Sequence, residues 1–327
     1  MAMKSEMKIS VAMTTYNGAS YLRQQLDSIF AQDRLPDELI VCDDRSTDAT
    51  ADILREYAAR APFPMQVEFN EERLGSTKNF ERAIGLCSGE VIALSDQDDV
   101  WRPHKLTVLE EAFVADAELG VVLTNAELID EDGAALPGDL WSRCRLTRRR
   151  QDHLNSSRRF DLMLGLPVAT GAAMAFRARF RRLVLPIPTG SPTFIHDRWI
   201  ALAIAAVARI AFIPDKLIAY RLHGQQQLGV GKVPLAARLF IPHPCRSDAV
   251  GLAALEKRLS GDPDCSANLD FWRSLRERQR HVAERARFSR NPFRRLKQVA
   301  SEYRSGRYVL YPYGRIIPFQ DLLVGTC

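Results

Sequence analysis

The sequence predicts an α/β protein with a mostly parallel central sheet flanked by helices, followed by a helical, basic C-terminal region. Three observations carry this expectation. Apolar, β-rich runs alternate with segments whose apolar residues recur at helical spacing, the pattern of successive βαβ units. The loops after the first, second and fourth of these runs read TTYNG, DDRST and SDQDD, and such a sheet binds its ligands at the carboxyl ends of its strands. From about residue 235 the strand signals fade and arginine becomes frequent.

Taken in order, residues 8–14 (KISVAMT) form a β-rich run, and residues 19–32 come next with Leu22, Leu26, Ile29 and Phe30 on one helical face. Residues 37–42 (DELIVC) restore a strand, and residues 48–61 give a second helix with Ile53, Leu54 and Tyr57 together. A third strand is expected over 65–69, a third helix over 76–87 and a fourth strand over 90–94. A helix from Lys105 to 117, a strand over 120–125 and a turn at Glu131-Asp132-Gly133 come next. Residues 141–159 are arginine-rich and read as a loop. The run VATGAAMAF over 168–176, an apolar segment over 200–213 read as one buried helix, and residues 217–222 complete the first region. The expected division is 1–234 for the α/β domain and 235–327 for the helical basic region.

At 327 residues, 46% hydrophobic and 26% charged, the chain can bury a full core. Its opening shows no apolar stretch followed by a small-residue cleavage site, and the 200–213 segment, interrupted by Arg209, is too short to span a bilayer. A cytoplasmic protein is expected, peripheral at the inner face of the membrane. The six cysteines are scattered without a CxxC pair, so reduced thiols are expected. The net charge of +5 is uneven, because the stretch from Arg273 to Arg307 carries twelve Arg or Lys against three Glu. A basic block beside a mildly acidic remainder points to an anionic surface as partner. Phe288, Phe293, Leu296, Val299 and Tyr303 interleave with these cations, which favours a bilayer interface, and no nucleic-acid motif accompanies the charge. A helix packed on the α/β domain is the competing reading.

Four constellations carry chemistry. Asp96-Gln97-Asp98-Asp99 follows an apolar strand, and carboxylates crowded there repel one another unless a cation offsets them. Mg²⁺ or Mn²⁺, bound through one or two carboxylates plus phosphate oxygens, suits the pattern; an Asp-rich capping turn would look similar. Asp43-Asp44-Arg45-Ser46-Thr47 also follows a strand. A carboxylate there can accept from the ring N–H of a pyrimidine, although part of the motif caps the next helix. His196-Asp197 opens the apolar helix, where Asp197 can serve as a base or as a cap. In Tyr220-Arg221-Leu222-His223, the guanidinium and imidazole are candidates for holding a diphosphate or completing a metal shell.

MTTYNGASYLRQQLDSIFAQ, ELIVCDDRSTDAT and NEERLGSTKNFERAIGLCSGEVIALSDQDDVWRPHKL, spread over residues 8–125, resemble the N-terminal half of family 2 glycosyltransferases, which have the GT-A fold. The resemblance implies that Thr14, Thr15 and Tyr16 line the nucleotide base pocket and that Asp44 contacts a pyrimidine. It further implies that Asp96 lies near the ribose, that Asp98 coordinates the metal of a DXD motif, and that Lys78 sits at the edge of the nucleotide site. Asp197 resembles the catalytic base of the family, and Thr170-Gly171-Ala172-Ala173-Met174 the acceptor side of its cleft. The segment from Tyr220 resembles a YRxHxxN element, with Gln226 where Asn is usual. The QxxRW signature of processive members is absent, so one addition per encounter is expected.

The expected activity is inverting transfer from a dTDP- or UDP-sugar to a hydroxyl of a glycan or lipid-linked acceptor. Likeness to rhamnosyltransferase-like enzymes of O-antigen or capsule assembly implies dTDP-rhamnose as donor. Two other readings compete. A sugar-nucleotide pyrophosphorylase would carry a Gly-rich phosphate loop after the first strand, where this chain has TTYNG with one Gly. A catalytically silent sugar-nucleotide-binding module would need Asp44 and Asp98 but not Asp197.

Overall fold

The computed structural model describes residues 7–154, 156, 158–224, 245–310 and 317–323. Gln226 and the expected boundary at 234/235 lie outside these. The chain divides into two compact units. The first takes in residues up to Leu140, Ala169–Ile187 and Ala208 onward through the last sheet strand, and the second takes in Trp141–Val168, Pro188–Val207 and the C-terminal helices. The division therefore interleaves along the chain and does not follow a single cut.

In the first unit, nine strands among the described residues join one sheet in the order β3-β2-β1-β4-β8-β6-β9-β5, with β7 on β6. Strands β1 (Ile9–Thr15), β2 (Glu38–Asp43), β3 (Met65–Phe69) and β4 (Val91–Ser95) are all parallel. They alternate with α1 (Ala19–Phe30), α2 (Thr50–Arg60) and α3 (Ser76–Leu86), as the sequence periodicity requires. β1 and β4 are buried along their whole length, which explains why they read as continuous apolar runs. α1 buries Leu22, Leu26 and Ile29, α2 buries Ile53, Leu54 and Tyr57, and α3 buries Phe80, Ala83 and Ile84. Each such large apolar side chain contributes about 1.5–3 kcal/mol.

Beyond β4 the sheet is mixed. After β5 (Val100–Trp101) and α4 (Lys105–Ala115) comes β6 (Leu119–Ile129), which continues through a turn into β7 (Ala135–Asp139). β8 (Met174–Arg177) runs antiparallel to both β4 and β6, whereas β9 (Arg209–Arg221) runs parallel to β6 and antiparallel to β5. The 200–213 segment is not one helix. The helix His196–Val207 ends and β9 begins at Arg209, because Ile210, Phe212 and Ile213 take up pairing positions opposite Val121, Leu123 and Thr124. β-Branched and aromatic side chains suit that pleated setting. The register then slips so that Asn125 faces Lys216, leaving Pro214, which has no N–H to donate, at an irregularity where a strand tolerates it.

In the second unit the stretch expected to be a loop contains the short helices Leu140–Arg143, of which Leu140 closes the first unit, and Arg148–Gln151. Its larger helices are His196–Val207, Cys245–Leu259, Leu269–Ala286 and Pro292–Arg304. Part of the basic charge is folded inward here. Arg278 and Arg198 both meet Asp248, and Arg285 forms a two-pronged pair with Asp321 at 2.7 Å for each hydrogen bond. Arg307 bridges Glu277 and Glu302. Cys42, Cys87, Cys144 and Cys265 are free thiols, whereas Cys245 is disulfide-bonded, a departure from the expected reduced state.

Candidate active site

The loops after β1, β2 and β4 converge at one end of the parallel strands. Asp43, at the end of β2, accepts from Thr15 Oγ1 at 2.7 Å, from Ser46 Oγ at 2.6 Å and from Ser46 N–H at 2.8 Å. It thereby ties the first two loops together. Gln97 joins the first loop to the third: its Oε1 accepts from Tyr16 N–H at 2.8 Å and its amide donates to Tyr16 C=O at 3.0 Å. This clamp needs Gly18, since a Cβ there would lie 2.2 Å from Gln97 Oε1. Thr14 and Thr15 are buried beneath it, and the Arg73 guanidinium stands 4.0 Å from the centre of the Tyr16 ring.

Asp44 is buried and braces the loop between β3 and α3. It accepts from Asn70 Nδ2 at 3.0 Å, Leu74 N–H at 2.7 Å and Gly75 N–H at 2.8 Å. A carboxylate has about four acceptor sites, so three are filled by protein donors. Asn70 also donates to Asn79, which in turn donates to Cys42 C=O. Lys78, one residue earlier on α3, pairs with Glu81 at 2.7 Å at the partly exposed edge of this loop.

The third loop separates its carboxylates by environment. Asp99 is fully buried and accepts from Arg221 N–H at 3.0 Å. Burial, reinforced by Asp98 and Asp96, holds its carboxyl well above the usual carboxylate range. Beneath the loop, Lys105 is also buried, donating to Ala172 C=O at 2.8 Å and lying over Trp101; burial pushes its ammonium down to about 7 against the pull of Asp99 and Asp96. The Asp98 side chain is only 15% exposed, and its Oδ2 lies 2.8 Å from His223 Nε2. The His223 ring packs 4.9 Å from that of Tyr21. Asp96 is partly exposed two residues before Asp98.

Arg221 is buried and committed to the protein. Its Nε donates to Asp98 C=O at 2.8 Å, one terminal nitrogen to Asp130 and Glu131 C=O at 3.1 Å each, and the other to Gln24 Oε1 at 2.6 Å. The guanidinium expected to hold a diphosphate thus secures the acidic loop from the end of β9. Sequence reasoning misses Gln97, Asp99, Lys105 and Arg73 as individual site residues. Gln97 and Asp99 lie within the SDQDD run itself; Lys105 and Arg73 have only their positions beside the motifs as a signal.

Among the described residues, no group of three or more His, Cys, Asp or Glu side chains converges as a ready-made cation cage. The pair Asp98–His223 offers an oxygen and a nitrogen donor, a set that fits a divalent ion whose remaining ligands are phosphate oxygens and water. Asp197 belongs to the second unit, in the first turn of His196–Val207, where its Oδ1 accepts from Arg198 N–H at 2.5 Å. Its neighbour His196 is buried, which pushes the imidazole down to about 3 and keeps it neutral.

The glycosyl transferase family 2 model matches residues 10–183. The chain belongs to that family. An uncharacterized glycosyltransferase of Nostoc sp. is 28% identical over 218 residues, covering 67% of this chain and 66% of the relative. The dTDP-rhamnosyl transferase of Shigella flexneri is 35% identical over 98 residues, 29% of this chain and 34% of the relative. The chain spans two thirds or less of the length of these relatives. Among solved structures, Staphylococcus aureus TarS in complex with UDP-GlcNAc superposes with a TM-score of 0.60 at 18% identity, covering 97% of this chain and 90% of that one. A mannosyltransferase from Pyrobaculum calidifontis in complex with GDP-Man and Mn²⁺ gives a TM-score of 0.58 at 19% identity, covering 98% and 86%. These likenesses establish the GT-A type fold of this glycosyltransferase. No helix among its described residues is long and apolar enough to cross a membrane.

Proposed function

We propose that this family 2 glycosyltransferase moves a sugar, with inversion, from a dTDP- or UDP-linked donor to a hydroxyl of a glycan or lipid-linked acceptor in cell-surface polysaccharide synthesis. The observation that carries the reading is the sorting of acids at the ends of β2 and β4. Asp43 and Asp44 are spent on protein donors and Asp99 is fully buried, while Asp98 keeps a side chain 15% exposed beside His223. The family membership, and relatives named for polysaccharide synthesis and for dTDP-rhamnose, support the donor and acceptor classes.

Thr14, Thr15, Tyr16 and the loop held by Asp44 form the nucleotide pocket in this reading, with Asp96 toward the ribose and Lys78 at its edge. Asp98, with His223, would hold a Mg²⁺ or Mn²⁺ ion that neutralises charge growing on the leaving diphosphate. Asp197 takes the proton of the acceptor hydroxyl, whose oxygen attacks the anomeric carbon opposite the breaking bond to phosphate. The nucleoside diphosphate departs and the new glycosidic bond has inverted configuration.

The test combines donor binding with turnover. Thermal shift with UDP-, dTDP- and GDP-sugars plus Mn²⁺ should single out one donor, whose binding raises the melting temperature. Asp98→Asn should abolish the Mn²⁺-dependent part of that rise. Asp197→Asn should preserve it while lowering turnover by about 10²–10⁴-fold. Full turnover in Asp197→Asn would exclude this residue as the base, and donor binding without any turnover in the wild type would favour the silent binding module.

A further inference from the structure

The helices Pro292–Arg304 and Ile317–Leu323 pack on each other over a small core of Phe288, Val299, Tyr308 and Ile317. An ordinary amphipathic pair would bury its apolar residues there and leave its charges outside. Here the acids go in and large apolar side chains stay out. Glu302 is buried against His281 and Arg307, and Asp321 against Arg285 and Tyr308. Phe293 is 78% exposed, Leu296 53%, Tyr303 52%, Phe319 59% and Leu323 57%.

On Pro292–Arg304 the exposed apolar residues are not scattered. Phe293, Leu296 and Tyr303 stand at i, i+3 and i+10, one stripe of the helix. Exposed Arg294, Lys297 and Arg304 each come one residue later, a parallel cationic stripe about 100° further round. The only acid of this helix is the inward Glu302, so its outer surface is apolar and positive with no anion of its own to neutralise it.

We propose that the outer face of Pro292–Arg304 docks the enzyme on an anionic lipid bilayer, with Phe293 and Leu296 entering the headgroup boundary and Arg294, Lys297 and Arg304 on the lipid phosphates. Charge complementarity selects an anionic partner, and the apolar stripe selects a bilayer over a nucleic acid, since side chains at this depth gain only where they leave water. Long basic side chains beside such a stripe reach the phosphates while their stems stay apolar. The proposal extends the reading of a lipid-linked acceptor but stands on different residues from the transfer chemistry.

Co-sedimentation of the full chain with vesicles tests it. An equal mixture of phosphatidylcholine and phosphatidylglycerol should carry the protein down, and phosphatidylcholine alone should not. Phe293→Ser with Leu296→Ser, and separately Arg294→Glu with Lys297→Glu, should each weaken partition by about tenfold or more. All four positions are substantially solvent-facing, so melting temperature and donor-induced thermal shift should stay at wild-type values. Equal binding to both vesicle types, or retention by either double variant, would overturn the proposal. So would competition by RNA that is lost in the charge variant and unchanged in the apolar one. A missing donor shift in the wild type would count against sugar transfer and leave the vesicle result intact.

Discussion

Arg221 spans more of the fold than any other described side chain at the candidate site. Its donors reach the backbone of Asp98, Asp130 and Glu131 and the side chain of Gln24, positions up to 197 residues away. From sequence it reads as a diphosphate ligand, because the residue type fits and its partners are too distant to infer. Removing it leaves buried carbonyls without donors. Arg221→Met should therefore cost about 3–5 kcal/mol in urea unfolding, and Arg221→Lys should recover little, since an ammonium cannot serve four directions from one plane. His223 differs: its imidazole faces the partly exposed carboxylate of Asp98, and there the sequence expectation of a role in the site stands as a proposal.

At the scale of elements, β1 to β4 and α1 to α3 are legible because each is local. The apolar strand runs, the helical period of 3.6 and the loop at each strand end are written in consecutive residues. The strands after β4 depend instead on long-range pairing. Two-residue β5 has no period to detect and exists through β9, with Val100 opposite Ala219, and the start of β9 reads in sequence as a continuation of the preceding helix. The loop between β3 and α3 is a further case, since its shape comes from Asp44 some thirty residues earlier. Asp44→Ala should release the Leu74 and Gly75 amides, lowering their protection in hydrogen exchange by about 2 kcal/mol while β2 and β3 stay protected. Donor affinity should fall with it if that loop borders the base.

For the molecule as a whole, acid stability should be governed by buried imidazoles of the second unit. Burial pushes His281 down to about 4 from an ordinary 6.5, despite Glu302 beside it, and pushes His196 to about 3. Between pH 6.5 and these values the unfolded chain binds protons that the folded chain refuses, so stability is full above 6.5 and declines as the pH falls. Glu302, whose burial is outweighed only by His281 and Arg307 together so that its carboxyl stays below the ordinary value, acts in the same sense at lower pH. Denaturant unfolding at pH 7 and pH 4.5 should show the loss, with about 2 kcal/mol of it traceable to His281; His281→Gln should start less stable and lose less. The strand order has a further consequence for synthesis. The motifs that name the family are translated first, yet the strand that backs the acidic loop is β9, placed between β6 and β5. A nascent chain that has emerged only through the matched region would hold the acids of the loops after β2 and β4 and still lack the arginine that secures Asp98, so the ribosome must deliver residue 221 before that loop can set.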